Sequence, residues 1–312
     1  MDMPKLDTPW KLTPPDPKVP GSQGEVDVSG ITRKWLDVPY ASQSPNQKLD
    51  IFLPEEGEGP FPVLIFMHGG AYLFGTKRDM QFLHAVDGIT KGYAVVTVEQ
   101  RLAFEIQFPY GLFDLKAAIR FLRANAEKYS LDPDRFALSG DSAGAYYAVM
   151  CAATQDIPGY EDFTMGNPDV SSKVQAVVGW YGCYHLMEML PPEPDPDNPP
   201  PPPPADRPPM PDLYKFLVGA KPREIHGLMY FTNPLNFVTP AFPPILLQAG
   251  TGDQVVPHAQ SIMLHEKIRA VCGEGRSTLQ LMEGWNHGGF SFGWYEPRHQ
   301  TEVFRFLDRV LK

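Results

Sequence analysis

Phe136 to Met150 reads FALSGDSAGAYYAVM, a short apolar strand that runs through Gly140, Asp141, Ser142, Ala143 and Gly144 into a helix of small residues. A serine between two glycines at this spacing can occupy an elbow in which the chain reverses so sharply that only Gly tolerates the flanking positions. Such a turn exposes the Ser142 hydroxyl at the carboxyl end of a parallel sheet. It also puts the Ala143 amide at a helix N-terminus, where developing negative charge is stabilised. The chemistry is acyl transfer by a serine nucleophile. A hydroxyl is a poor nucleophile at neutral pH, so the chain must also supply a base, a carboxylate to orient that base, and donors for an oxyanion. The pentapeptide alone can equally be a Gly-rich turn capped by Ser, so these partners decide the reading.

Asp253 follows the apolar run Ile245 to Leu247 in QAGTGDQVVP, and His287 follows Thr278 to Met282 in EGWNHGGF. The order Ser142, Asp253, His287, with acid and base each placed after a strand, is one that such triads adopt. Taken alone, Asp253 reads as a loop or N-cap aspartate before a helix near Pro257. Its place after a strand and before His287 favours the acid. Among 8 histidines the rival base is His258, five residues from Asp253. His258 falls at a helix start, where a histidine is commonly exposed, whereas Gly288 and Gly289 beside His287 let an imidazole protrude from a loop. Oxyanion donors are expected from the loop after the first central strand, where His68, Gly69, Gly70 and Ala71 stand. The amides of Gly70 and Ala71, with that of Ala143, are the expected hole. His68 is expected to tie the loop down by a hydrogen bond rather than to transfer protons. Tyr72 beside the hole, and Trp180 with Tyr181 after a central strand, are the candidate substrate contacts, with core packing as the alternative for each.

The elements that must position these residues are legible as unbroken apolar runs. Val63 to Met67 ends at Gly69 and Gly70, and the same signature recurs at Ala94 to Val98, Phe136 to Leu138, Val174 to Val178 and Ile245 to Leu247. Runs without alternation describe strands buried on both faces. Helical patterns lie between them: Leu112, Leu115, Ile119 and Leu122 share one face with Lys116, Arg120 and Arg123 turned away, and Val303, Phe306, Leu307 and Val310 repeat the pattern. Alternating strands and helices predict an α/β chain, doubly wound, with a mainly parallel central sheet. Trp35 to Tyr40 and Lys48 to Leu53, joined by a turn at Pro45 and Asn46, are expected to form its antiparallel edge.

Two stretches fall outside this rhythm. Residues 1 to 30 hold Pro4, Pro9, Pro14, Pro15, Pro17 and Pro20 and read as an extended arm or as disorder. One domain is expected from 31 to 312, interrupted at about 184 to 240, where thirteen prolines fall between Pro191 and Pro211. So proline-rich a tract cannot pair in a sheet. It reads as a cap or lid insertion beside the site, as a solvated loop, or as a ligand for an SH3- or WW-type partner. A net charge of -10 over 312 residues tells against nucleic acid, which requires a basic face. Cys151, Cys183 and Cys272 suggest neither a disulfide framework nor a zinc pattern. With no apparent signal peptide and no membrane-length apolar run, a soluble cytoplasmic protein is expected. The chemistry calls for no metal and no cofactor.

HGGAYLFG at 68 to 75, FPYGLFDLKAAIRFLRAN at 108 to 125, LDPDRFALSGDSAG at 131 to 144, GTGDQVVP at 250 to 257 and NHGGF at 286 to 290 together resemble the α/β-hydrolase superfamily. The resemblance is to esterases of the hormone-sensitive-lipase type and the neighbouring bacterial feruloyl and acetylxylan esterases. It implies the α/β-hydrolase fold, with nucleophile Ser142, acid Asp253, base His287 and a hole at Gly70, Ala71 and Ala143. It further implies a carboxylesterase acting through an acyl-enzyme on short acyl or hydroxycinnamoyl esters, small or carried on an oligosaccharide. An arylformamidase-type amide hydrolase shares the H-G-G loop and triad, and a non-catalytic binding protein on the same scaffold is the reading from another class. The chain departs from the family at Ala71, where relatives carry a third glycine, and at Glu99 and Gln100, where relatives often have Asn and Tyr. The proline tract matches no family pattern. Oligomeric state is not readable.

Overall fold

The computed structural model describes residues 9–12, 24–190 and 213–312. The proline tract at 191–211 and most of the arm lie outside the described residues. Among those described, the strands are β1 (Lys11–Leu12), β2 (Val26–Asp27), β3 (Lys34–Pro39), β4 (Lys48–Phe52), β5 (Phe61–Met67), β6 (Ala94–Val98), β7 (Leu131–Asp141), β8 (Ala176–Trp180), β9 (Ile245–Gly250) and β10 (Ser277–Met282). The α-helices are α1 (Leu83–Val86), α2 (Tyr110–Ala124), α3 (Ala143–Ala153), α4 (Leu213–Val218), α5 (His226–Met229), α6 (Ala259–Cys272) and α7 (Pro297–Leu311).

β3 to β10 form one sheet in the order β10-β9-β8-β7-β5-β6-β4-β3. It is parallel from β10 to β6 and antiparallel at β4 and β3, as the two-strand reading of the edge expects. Every residue of β5, β6 and β9 is buried, which is why their sequences show no alternation. Apolar side chains fill both faces. Val63, Ile65 and Leu138 pack on one side with α2, α3 and α6, and Leu64, Phe66 and Val178 on the other with α1 and α7. The fourth central strand begins two residues later than its apolar run, at Ala176; just before it, the Gln175 side chain accepts the Phe136 amide at 2.8 Å.

The register brings five strand ends to one edge. Met67 pairs with Gly140, Asp141 with Trp180, Trp180 with Gln248, and Gly250 with Met282. After β5 the chain leaves toward β6, and after β7 toward β8 on the other side. Diverging loops at adjacent strand ends open a crevice, the usual place for a ligand in such sheets.

One expectation needs correction. Lys116 and Arg120 on α2 are not turned to solvent but are fully buried. The segment Pro158–Tyr160 and Phe163–Met165 crosses that face as 3₁₀ turns and brings Glu161, which pairs with both side chains, while the Thr154 carbonyl accepts from Lys116 Nζ at 2.8 Å. Periodicity marks which helical face is apolar, but it cannot see a loop that supplies a counter-charge to the other.

The arm is partly anchored. β1 pairs antiparallel with β2, and Trp10 is buried with Val26, Val28 and Ile31. Between 184 and 240 the described residues hold short helices and no strand. Among the described residues no helix is long and apolar enough to cross a membrane.

Candidate active site

Ser142 stands between the end of β7 and the start of α3 with φ +50° and ψ −117°. A side-chain-bearing residue occupies this region at a cost on the order of 1–3 kcal/mol, met only where surrounding structure fixes it. The fixing is visible. The Ser142 amide donates to the Trp180 carbonyl at 2.9 Å, and the flanking glycines have no room for a Cβ. At Gly140 it would lie 2.5 Å from the Gly144 carbonyl carbon, and at Gly144 it would lie 2.0 Å from the Met67 oxygen. The elbow thus packs directly on β5.

Asp253 and His287 come to Ser142 from the loops after β9 and β10. His287 Nε2 is 3.0 Å from the Ser142 hydroxyl oxygen, and Nδ1 is 2.7 Å from Asp253 Oδ2. The other Asp253 oxygen accepts the Val255 and Val256 amides, each at 2.8 Å, so the carboxylate is held by the backbone on one side and faces the imidazole on the other. The Asp253 carboxylate is sealed from solvent while His287 keeps 12% of its side chain exposed. His258 caps the start of α6 and is partly exposed.

The loop after β5 runs against the elbow. A Cβ on Gly69 would come within 3.1 Å of Ser142 Cβ. Gly70, Ala71 and Tyr72 follow at φ +98°, +55° and +65°, three consecutive left-handed residues. This curl turns the Gly70 carbonyl inward to accept from Leu73 and Phe74, at 3.0 and 2.9 Å, while the Gly70 and Ala71 amides donate to nothing among the described residues. Ala143 is the first residue of α3, so its amide has no intrahelical acceptor either. Three N–H groups near the elbow thus lack a protein acceptor among the described residues.

The BD-FAE family model matches residues 49–268, a span that begins in β4 and takes in β5, the elbow and Asp253. The chain belongs to the BD-FAE family. It is 29% identical over 246 residues to Esterase LipC of Mycobacterium tuberculosis, covering 78% of this chain and 57% of that one. Kynurenine formamidase of Danio rerio is 33% identical over 169 residues, 54% of this chain and 52% of that one. Among solved structures, a truncated form of a carbohydrate esterase from gut microbiota superposes with a TM-score of 0.74 at 27% identity, covering 89% of this chain and 96% of that one. The fold is that of the α/β-hydrolases, and these likenesses bear out the resemblance read from the motifs. The chain spans about half the length of the curated relatives it matches.

The aromatic residues singled out as substrate contacts lie deeper in this BD-FAE member than such a role suggests. Trp180 is fully buried and stacked on His84, with ring centroids 4.4 Å apart. Tyr72 is buried edge-on against Tyr146 and Tyr147, its hydroxyl 3.0 Å from Cys183 Sγ. Tyr181 is also buried, but its ring meets the His287 imidazole edge-on, with centroids 4.7 Å apart. These placements are core packing and, for Tyr181, a wall behind the imidazole. An apolar cavity of about 410 Å³, lined among others by Phe108, Ile157, Tyr160, Leu228 and Phe231, includes none of Ser142, Asp253 and His287.

Sequence reasoning passed over the polar residues under the elbow. Asp141 accepts the Gly69 amide at 2.9 Å and faces the Tyr181 hydroxyl at 3.3 Å; that hydroxyl lies 2.8 Å from His84 Nε2. Gln81 also accepts from Gly69, at 2.8 Å. Burial, reinforced by nearby Asp79, pushes the Asp141 carboxyl up to about 8, so it is protonated at neutral pH. Burial likewise raises Asp79, to about 6. Asp141 could have been suspected as the residue between the motif's glycine and serine. Gln81 and Asp79 carry no such signal, because a 3₁₀ turn at Met80–Phe82 delivers them.

Proposed function

We propose that the chain is a serine carboxylic ester hydrolase working through an acyl-enzyme. The observation that carries the reading is the continuous line from Asp253 through His287 to Ser142, with contacts of 2.7 and 3.0 Å, ending at a strained elbow beside three amides. His287 Nε2 takes the Ser142 proton as the hydroxyl oxygen attacks the ester carbonyl. Asp253 keeps the Nδ1 proton in place and stabilises the imidazolium that forms. The carbonyl oxygen, now negative, lies against the Gly70, Ala71 and Ala143 amides, each such donor being worth about 3 kcal/mol to the transition state. As the tetrahedral intermediate collapses, His287 gives its proton to the departing alkoxide. A water then repeats the sequence on the acyl-enzyme, with His287 again as base, and releases the acid and free Ser142.

For the substrate we propose short acyl or hydroxycinnamoyl esters, small or attached to an oligosaccharide. Support comes from the likeness to the gut carbohydrate esterase across 89% of this chain. The 33% identity with a kynurenine formamidase favours, as a second reading, an aryl formamide whose carbonyl would meet the same serine. Purified protein assayed on matched acetyl, feruloyl and N-formyl-aryl substrates separates the two. Ester turnover abolished by Ser142→Ala supports the hydrolase, whereas turnover that survives this substitution overturns it. A serine-directed phosphonate should label the wild type and not the variant; a scaffold retained only for binding would stay unlabelled.

A further inference from the structure

His68, just beyond the carboxyl end of β5, is fully buried, and Gly75 closes over its ring so tightly that a Cβ there would lie 2.4 Å from Nδ1. Both ring nitrogens face oxygen. Nδ1 is 2.8 Å from the Gly69 carbonyl, and Nε2 is 3.6 Å from Oε1 of Glu99, at the end of β6. A neutral imidazole carries one N–H and one lone pair, so either tautomer would turn a lone pair on one of these oxygens; the doubly protonated ring donates to the Gly69 carbonyl at Nδ1 and faces the Glu99 carboxylate at Nε2 across an ion-pair separation longer than a hydrogen bond. Glu99 is itself held, since its Oε2 accepts the Lys77 amide at 3.1 Å and its carbonyl accepts the Tyr40 hydroxyl at 2.8 Å. The remaining charged and titratable groups around the ring are Asp79, Asp141 and, behind Asp141, Tyr181; beyond Glu99, Lys77 meets Asp37 and Asp50, which also pairs with Arg78.

The Gly69 carbonyl and the Gly70 amide belong to one planar trans peptide and point in opposite directions. Whatever holds the carbonyl therefore aims the amide. We propose that Glu99 is a positioning residue of the oxyanion loop: by keeping His68 doubly protonated it pins the Gly69 carbonyl and so directs the Gly70 amide toward the reacting carbonyl. The proposal rests on the ester hydrolase reading and deepens it.

Burial disfavours charge on His68, but the Glu99 carboxylate outweighs it and lifts the imidazole to about 9. The sign follows: the doubly protonated ring is present at neutral pH and is lost as pH rises through that value, and the Gly69 carbonyl is released because the remaining proton stays on Nε2, facing the Glu99 carboxylate. Without the carboxylate, burial prevails and the proton leaves at lower pH. The experiment is hydrolysis of p-nitrophenyl acetate from pH 6 to 10 by wild type, Glu99→Gln and Glu99→Asp, with Ser142→Ala as blank and side-chain ¹⁵N spectra of His68. Asp141→Asn is used as a second background because Asp141 titrates in the same window. Glu99→Gln should lower kcat roughly tenfold or more with KM within about twofold. Its alkaline limb should move down by about one pH unit or more, and Glu99→Asp should restore part of both. The spectra should show both nitrogens protonated at pH 7 in wild type and one in Glu99→Gln. An alkaline limb unmoved by Glu99→Gln, or a neutral His68 in wild type, overturns the proposal. Activity that persists in Ser142→Ala overturns the hydrolase reading instead, and the spectra then still decide the His68 state. Should Glu99→Gln not fold, the wild-type spectra and Glu99→Asp carry the test.

Discussion

On the outer face of α2, Lys116 and Arg120 are as deeply buried as any charge among the described residues, and each meets Glu161 together with backbone carbonyls of Thr154, Asp162 or Gly166. Beneath Ser142 the buried groups are matched less evenly. Burial raises both Asp79 and Asp141, with Asp79 adding to the rise at Asp141, and His68 faces the Glu99 carboxylate at 3.6 Å with Asp79 nearby. The first cluster joins unlike charges with their donors satisfied and serves as a brace between a helix and a loop. The second keeps groups whose protonation differs from their ordinary state, an arrangement found where a site must hold hydrogen-bonding geometry around reacting atoms. Burial of charge by itself does not distinguish brace from site; the balance of partners does.

The largest effect expected is on the reacting atoms. Ser142→Ala should cut ester turnover by roughly 10,000-fold or more while leaving the thermal midpoint nearly unchanged. A large loss of stability instead would place Ser142 with the braces. Glu161→Gln should do the reverse. Removing one partner from a buried ion cluster costs about 3–5 kcal/mol, so urea unfolding should show a drop of that size while kcat of the folded fraction is kept. A drop below about 1 kcal/mol would mean that the α2 cluster is compensated by its carbonyls alone.

The uneven cluster should reveal itself through pH. Burial lifts Asp141 from an ordinary 3.8 to about 8, so the folded state binds this proton more tightly than the unfolded chain. Stability from this group is therefore fully present at acid pH and is lost as pH rises from about 4 through 8. Asn removes the titrating group and keeps an oxygen for the Gly69 amide. Asp141→Asn should accordingly gain on wild type as pH rises, with a larger advantage at pH 8 than at pH 5, as read by chemical unfolding at both values. Equal differences at the two values would show that Asp141 is ionised throughout.

The central strands and the order of Ser142, Asp253 and His287 were legible because each depends on local pattern. Strands buried on both faces lose alternation, and a nucleophile elbow requires small residues at fixed offsets. The partners supplied by loops were not. Nothing in the sequence around Lys116 announces Glu161, and nothing near Gly69 announces Gln81, because these contacts are set by how two irregular segments cross. Trp180 and Tyr72 show the same limit from the other side: an aromatic at a strand end or in the loop beyond it looks identical whether it faces a crevice or the core. Trp10 was also unreadable, one tryptophan amid prolines, yet it is buried with Val26 and Ile31.

Ala71 joins the two kinds of region, since it belongs to the loop proposed to hold the oxyanion but can be tested as a matter of stability. It stands at φ +55°, where a Cβ crowds the following carbonyl. Gly70 cannot be exchanged in the other direction, because its Cβ would lie 2.2 Å from the Phe74 oxygen. At Ala71 the strain costs about 1 kcal/mol, part of which is offset because alanine restricts the unfolded chain more than glycine does. Ala71→Gly should therefore change unfolding free energy by about 1 kcal/mol or less. Its effect on turnover carries more information. The amide donor survives the substitution, so a kcat within about twofold of wild type would mean that the His68 and Gln81 contacts already fix the curl. A fall in kcat with KM unchanged would mean instead that the alanine side chain is what holds the second amide on its target, and that the strain at this position is a working part of the hole.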